Sequence, residues 1–249
     1  MPLLMANIIK CRGFILKTTP FKESSLLASV LTNKVGKVKL LAKGVRRPKS
    51  KMCGALEPFS LDEIIFYKRE FKEIYTLSDA VIVDGYPEVR GDPQKVSGAM
   101  VLCEYFDKTL PTEEMDTEAF SGFFRFLKNL KRVSSAGVRA LVVGHLIKAL
   151  SASGVMPHLD NCVRCHVPLS DGNGKIDFSV SAGGVVCSKH HDDTVVLLSR
   201  RTIDALRNIY GKSDAAINDE ALREIEIFMG DYMYVHLNHL NLHSLKHLK

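Results

Sequence analysis

The sequence lacks what a membrane, secretory or enzymatic reading would need. No run approaches the roughly 20 apolar residues of a bilayer span; the best stretch, Ala140 to Leu150, is short and contains His145 and Lys148. The N-terminus, MPLLMANIIKCR, carries its charges after its apolar residues, the reverse of a secretory signal. Six cysteines, with Cys11, Cys53 and Cys103 scattered, are no disulfide framework for 249 residues. The expectation is a cytoplasmic protein with reduced thiols. Catalytic motifs are missing too. There is no Gly-x-Gly-x-x-Gly and no Gly-x-Ser-x-Gly. Gly211-Lys212-Ser213 ends like a phosphate-binding loop, but Leu206 stands where the leading glycine belongs. No histidine is followed two residues later by the glutamate of a zinc deaminase. Carboxylates are plentiful but unclustered, and no acid–base pair emerges. The expectation is a protein that is not an enzyme.

One further absence is local. Between Glu23 and Glu57 there is no carboxylate, and between Phe21 and Phe59 no aromatic residue. Within that gap, Asn33 to Cys53 (NKVGKVKLLAKGVRRPKSKMC) holds Lys34, Lys37, Lys39, Lys43, Arg46, Arg47, Lys49 and Lys51. Its first half alternates like a strand, with Lys37, Lys39, Leu41 and Lys43 on one face and Val38, Leu40 and Ala42 on the other. Its second half, with Pro48, Gly44 and Gly54, reads as an exposed loop. Solvated faces normally mix signs, and this one does not. Residues 1–82 hold 15 Lys and Arg against 7 Asp and Glu, whereas the other 167 residues hold 19 against 21. The basic excess therefore belongs to one N-terminal module and points to an anionic partner. With no aromatic inside the basic stretch, binding is expected to run mainly through phosphates, along Lys37, Lys39, Lys43, Arg46, Arg47, Lys49 and Lys51. Phe14, Tyr67 and Tyr75 could supply stacking from neighbouring strands.

Five runs rich in Ile, Val, Phe, Tyr and Thr, at Ile8–Thr19, Leu26–Thr32, Lys37–Val45, Phe59–Tyr67 and Glu73–Val83, predict strands. Five short strands in about 75 residues suit a small closed barrel, because closure removes the exposed edges. An OB-fold fits, and an SH3-like barrel shares the pattern. After Asp84-Gly85-Tyr86-Pro87 the period shifts toward 3.6. Asp92–Leu110, Thr117–Leu130 and Ala136–Ser153 each carry a wide apolar stripe and predict a helical bundle. His145 on the third stripe reads as a core histidine. Helical periodicity returns at Ser199 and again from about Asn218. The fold class expected is α+β and multidomain: an N-terminal OB-fold barrel over 1–83, a helical domain beginning over 84–157, an inserted zinc-binding module over 158–197, and closing helices over 198–249.

The insert carries the sharpest local signal. Cys162-x2-Cys165 and Cys187-x2-His190 are two short pairs, each able to turn two ligands toward one point, as tetrahedral zinc requires. His191 or His166 could replace His190. Four protein ligands leave no open position for water, so the zinc is expected to be structural, a staple for a segment with little apolar content. His236, His239, His243 and His247 fall roughly on one helical face and read as a solvated terminus.

Ala42–Phe59, AKGVRRPKSKMCGALEPF, resembles the RecO family of DNA recombination and repair proteins, through Ala42, Lys43, Gly44, Arg46, Arg47, Ser50 and then Gly54, Leu56, Pro58 and Phe59. Glu23 to Lys37 is similar to that family's second strand and hairpin, and the order of barrel, helices, zinc module and closing helices follows it along the chain. The resemblance implies a cytoplasmic, nucleoid-associated protein whose OB-fold binds single- and double-stranded DNA and anneals complementary strands. It also implies RecR as a partner, help in loading recombinase onto coated DNA, and docking of the acidic tail of single-strand-binding protein on the helical domain. Arg139 and Lys148 on the third helix are candidates to receive that tail. Two features depart from the family: a histidine stands where many members have a fourth cysteine, and the ending NLHSLKHLK is less basic. An RNA- or ribosome-associated OB protein would show the same charge, and a zinc-stapled docking scaffold is the other alternative.

Overall fold

In the computed structural model, described here over residues 7–52, 54–169, 174–210 and 217–248, the chain divides into two compact units. The first comprises Met1–Ser135 and Ser244–Lys249, the second Ala136–His243. Cys53 and Gly211-Lys212-Ser213 lie outside the described residues.

The first unit begins with five strands, β1 (Asn7–Phe21), β2 (Ser25–Thr32), β3 (Gly36–Ala42), β4 (Leu61–Lys68) and β5 (Ile74–Asp84). All five fall on the runs rich in β-branched and aromatic residues. They pair in the order β1-β2-β3-β5-β4, and β4 returns to β1, so the OB-like sheet closes on itself. Alternation along the strands sends Ile15, Val30, Val38, Leu40, Ile64, Phe66 and Tyr75 into one core. A long β1 makes this possible, since its first half pairs with β4 and its second with β2.

The helices α1 (Pro87–Arg90), α2 (Pro93–Thr109) and α3 (Thr117–Arg132) complete this unit. Asp92 caps α2 by accepting from Gln94 and Lys95 N–H, and Asp116 caps α3 through Ala119 N–H. Phe14, fully buried, leaves the barrel core and packs on Phe120 and Phe123 of α3 with ring centroids 5.0 Å apart. The loop between α2 and α3 also closes onto the barrel. Thr112 bridges to Lys37, and Glu113 N–H donates to the Lys37 carbonyl at 2.8 Å. This approach requires glycine at Gly36: its φ is +72°, and a Cβ there would sit 1.9 Å from the Glu114 carbonyl oxygen.

The second unit holds α4 (Val138–Ala152), a three-stranded sheet of β6 (Lys175–Ser179), β7 (Gly184–Val185) and β8 (Val195–Ser199), and then α5 (Arg200–Tyr210) and α6 (Asp219–His236). The helix read from Ala136 thus belongs to a different unit from those read from Asp92 and Thr117. An apolar stripe reports that a face is buried but does not name the element that covers it. Ser135–Ala152 is long enough and apolar enough, at mean hydropathy 1.2, to cross a membrane by length and composition. Its Val138, Val142, Val143, Leu146, Ile147 and Leu150 are buried, as in the core helix of a folded unit. The late histidines do not share a helical face. α6 stops at His236, whose Nε2 meets the Val180 carbonyl, and Asn238 and His239 take left-handed backbone.

Candidate nucleic-acid interface and metal centre

The basic stretch is half strand and half anchored loop. Gly44, with φ +68°, turns the chain out of β3, and Arg47 N–H and Ser50 N–H close successive turns on the Gly44 and Arg47 carbonyls. Val45, Ala55 and Leu56 dip into the barrel core, so the loop is fixed at both ends. Arg46 N–H reaches the Ser24 carbonyl in the β1–β2 turn at 3.0 Å, and Leu56 N–H reaches Asp62 Oδ2 at 2.8 Å. Burial pushes the Asp62 carboxyl up, against the pull of the Leu56 N–H and the Ser60 hydroxyl. Leu56 and Phe59 both adopt positive φ, Phe59 N–H bonds Ile15, and Arg90 lies 4.2 Å over the Phe59 ring. Of the Ala42–Phe59 motif, Gly54, Leu56, Pro58 and Phe59 therefore build the loop, while Lys43, Arg46 and Arg47 face water.

Lys39, Lys43, Arg46, Arg47, Lys49 and Lys51 are exposed. Among the described residues none of the six joins an ion pair, whereas Lys10, Lys68 and Lys131 in the same unit pair with Glu63, Glu113 and Asp84. Lys37 departs from expectation. It is 8% exposed, and its ammonium donates to the Asp107 carbonyl at the end of α2. Burial lowers its pKa. Strand alternation placed Lys37 on the outer face correctly, but α2 covers that part of the face. Of the candidate stacking residues, Phe14 is core and Tyr75 is stacked on Phe66 inside the barrel; Tyr67 is 38% exposed. Sequence reading missed Ser24 and Asp62 as anchors, since both act across the fold rather than by local pattern.

In the second unit the structure brings Cys162, Cys165, Cys187 and His190 together, with donor atoms all within 4.8 Å of one another. Two turns aim them: His166 N–H bonds the Cys162 carbonyl and His190 N–H the Cys187 carbonyl, both at 2.8 Å. Val163 N–H to Val185 and the exchange between His158 and the β6–β7 hairpin strap the first turn to the second. Gly184 permits this, because a Cβ there would lie 2.6 Å from the His158 carbonyl oxygen. Separations of 3.8 Å (Cys165 to Cys187 Sγ), 3.7 Å (Cys162 Sγ to His190 Nδ1) and 3.2 Å (Cys187 Sγ to His190 Nδ1) approach the edge of a tetrahedron with bonds of about 2.3 Å, roughly 3.8 Å. The donor set thus fits zinc. Burial opposes ionisation of Cys162, but N–H donors of Cys165, Cys187 and Arg164 outweigh it and hold the thiol at about 6. His191 turns instead to Asp177 at 3.4 Å, and His166 is outside the group.

Arg139 and Lys148 are not brought together. Nine residues of helix put them on opposite sides of α4, and Arg139 is clamped through both guanidinium arms by Glu226.

Comparison with known proteins places the chain in a family. The family models described as "Recombination protein O N terminal" and "Recombination protein O C terminal" match residues 5–86 and 90–246. The chain is similar to proteins named "DNA repair protein RecO" from three bacteria. That of Alkaliphilus metalliredigens is 25% identical over 246 residues, 96% of this chain and 98% of the relative. That of Exiguobacterium sp. is 29% identical over 194 residues, 77% and 74%. That of Anaeromyxobacter sp. (strain K) is 30% identical over 182 residues, 72% and 69%.

Proposed function

Because the chain belongs to the RecO family, we propose that it is a DNA-binding protein of recombinational repair that anneals complementary strands without covalent chemistry. The observation that carries this reading is the set of six exposed cations without acidic partners, on a strand and a loop held rigid by buried anchors. Phosphates laid along Lys39, Lys43, Arg46, Arg47, Lys49 and Lys51 replace the missing counter-charge. Neutralised phosphates repel one another less, and base edges left free can pair, which speeds duplex formation with no bond made to the protein. Both single and double strands fit such a track, since it reads charge rather than sequence. Lys37, tied to Asp107, belongs to the support of the track.

Zinc is the metal proposed for Cys162, Cys165, Cys187 and His190, where it would hold two turns together and supply no reaction step. RecR as a partner, recombinase loading, capture of the acidic tail of single-strand-binding protein by the second unit, and a cytoplasmic, nucleoid-associated location are proposed from family membership. The four-part division at 83, 157 and 197 is kept as a proposal about function.

The test is oligonucleotide binding and annealing by the intact protein against its Arg46→Glu/Arg47→Glu variant at 50 and 200 mM salt. If about four phosphates of a single strand are neutralised, affinity should fall on the order of 50-fold across that interval. A flat salt response, or annealing at unchanged speed by the variant, overturns the reading. Preference for a matched RNA over DNA in competition would assign the track to RNA.

A further inference from the structure

The cationic track accounts for phosphates and leaves unexplained two exposed phenylalanines in the hairpin and turn beside it. Phe71, at the tip of the β4–β5 hairpin, is 98% exposed, and the next most exposed large apolar side chain among the described residues is Ile227 at 73%. Its backbone has φ +59°, a conformation that a bulky residue takes only where the surrounding loop imposes it. A phenyl ring held wholly in water forfeits all of its hydrophobic stabilisation, and its neighbours Arg69, Glu70, Lys72 and Glu73 are all exposed. The second ring is Phe21 at the end of β1. It is 42% exposed, with Lys22 Nζ 5.7 Å from its centroid, in the turn whose Ser24 carbonyl holds Arg46.

The sheet register relates both rings to the track. The Phe71 hairpin returns into β5 at Ile74, which pairs with Lys39. β3 then runs to Lys43 and the arginine loop, which is bonded to the turn beyond Phe21. One exposed ring therefore stands by each end of β3, which bears Lys39 and leads directly into Lys43. Cations along the middle with apolar ring faces at the ends match one class of ligand: a polyanion that also offers flat, uncharged faces. A duplex hides those faces in its stack, whereas a single strand presents them.

We propose that Phe71 and Phe21 stack on unpaired nucleobases beside the two ends of β3, giving the cationic track a preference for single strands that its charges alone do not provide. This rests on the nucleic-acid reading above and adds to it. Stacking engages the face of a base and leaves its pairing edge outward, so bases held this way remain open to a complementary strand. The two glutamates on the hairpin make its tip nearly neutral, and Phe71 therefore contributes through its ring rather than as part of the phosphate-binding field.

The chain contains no tryptophan, so Phe71→Trp introduces a sole indole reporter at a fully exposed position. Its emission should be quenched by oligothymidylate at the concentrations where anisotropy of a labelled strand shows binding. Neither heparin, a polyanion without bases, nor a blunt duplex of equal length should quench it. In parallel, Phe71→Ala should weaken single-strand binding about tenfold with an unchanged salt slope, leaving duplex binding intact. Lys39→Ala should instead weaken both ligands and flatten the slope by about 0.7 on single strands. Emission that stays constant while anisotropy reports saturation, or a Phe71→Ala loss equal for duplex and single strand, overturns the stacking and leaves the cationic track standing. Absence of oligonucleotide binding by the unaltered protein overturns both.

Discussion

The barrel and the cysteine module meet the same difficulty in different ways. Each must hold a short, turn-rich segment in one shape. The barrel does so by closure: Val30, Val38, Leu40, Ile64 and Phe66 fill an interior that five strands surround, and the basic loop is moored there by Val45 and Leu56. Residues 158–199 have three short strands and, among the described residues, few buried apolar groups, chiefly Ile176, Phe178, Val180, Val185 and Val186. Here four metal-ligating side chains converge on one point, and the zinc proposed for them would act as the staple. Closure spreads stabilisation over many contacts, whereas a metal concentrates it in one.

That contrast can be broken by stripping the zinc proposed for this site. Treatment with a strong zinc chelator, or Cys165→Ser, should cost the module most of a binding energy of about 10–16 kcal/mol, as in zinc-finger peptides. Hydrogen exchange should rise sharply in β6 and β7 and stay unchanged in β1–β5. Protected β6 amides after chelation would show that Phe178, packed edge-on against Phe228 and Tyr232, suffices without metal. The converse cut is Phe14→Ala, expected to cost the first unit about 3–5 kcal/mol by opening a cavity against Phe120 and Phe123. Denaturant unfolding followed by a barrel probe should move while cobalt spectroscopy of the cysteine site does not.

A third expectation concerns binding alone. Arg46→Glu/Arg47→Glu should reduce oligonucleotide affinity on the order of 100-fold at low salt while shifting stability by less than about 0.5 kcal/mol, as both side chains are exposed. A large drop in melting temperature would mean that the arginines also hold the loop. The smallest effect expected is acidic. Hydrogen bonds from Ser179 and Thr194 hold the Asp192 carboxyl at about 2. A depressed carboxyl contributes stability above its unfolded value, near 4, and loses it as pH falls toward 2. The Thr194 amide shift in an NMR titration should report that step, and Asp192→Asn should erase it.

Much of this was legible before any coordinates. Alternation located all five barrel strands, and the two Cys-x2 pairs located a ligand cluster, because both signals are local: a period of two and a spacing of three. The unread parts are those set by distant residues. β8 leaves no signal of its own, because VVLLS abuts a helical pattern and shows no alternation. Lys37 looked like its neighbours Lys39 and Lys43, and only α2 distinguishes it. Arg139 looked available until Glu226, 87 residues onward, claimed it. Phe71 went unremarked because full exposure of an aromatic residue leaves no trace in a pattern built from burial.

The latch formed by Thr112, Glu113 and Glu114 over Gly36 bears on how the chain can be dissected. A fragment ending at residue 86 would keep every cation of the track. It would also strand the Phe14 ring outside the barrel with no α3 to shelter it, and leave the Lys37 carbonyl without the Glu113 amide. The segment recognisable as an N-terminal domain by kinship is therefore expected to fold poorly when cut out alone. The compact unit that shelters it runs to Ser135 and takes in Ser244–Lys249 as well, and excisions ending before α3 are expected to be insoluble rather than merely inactive.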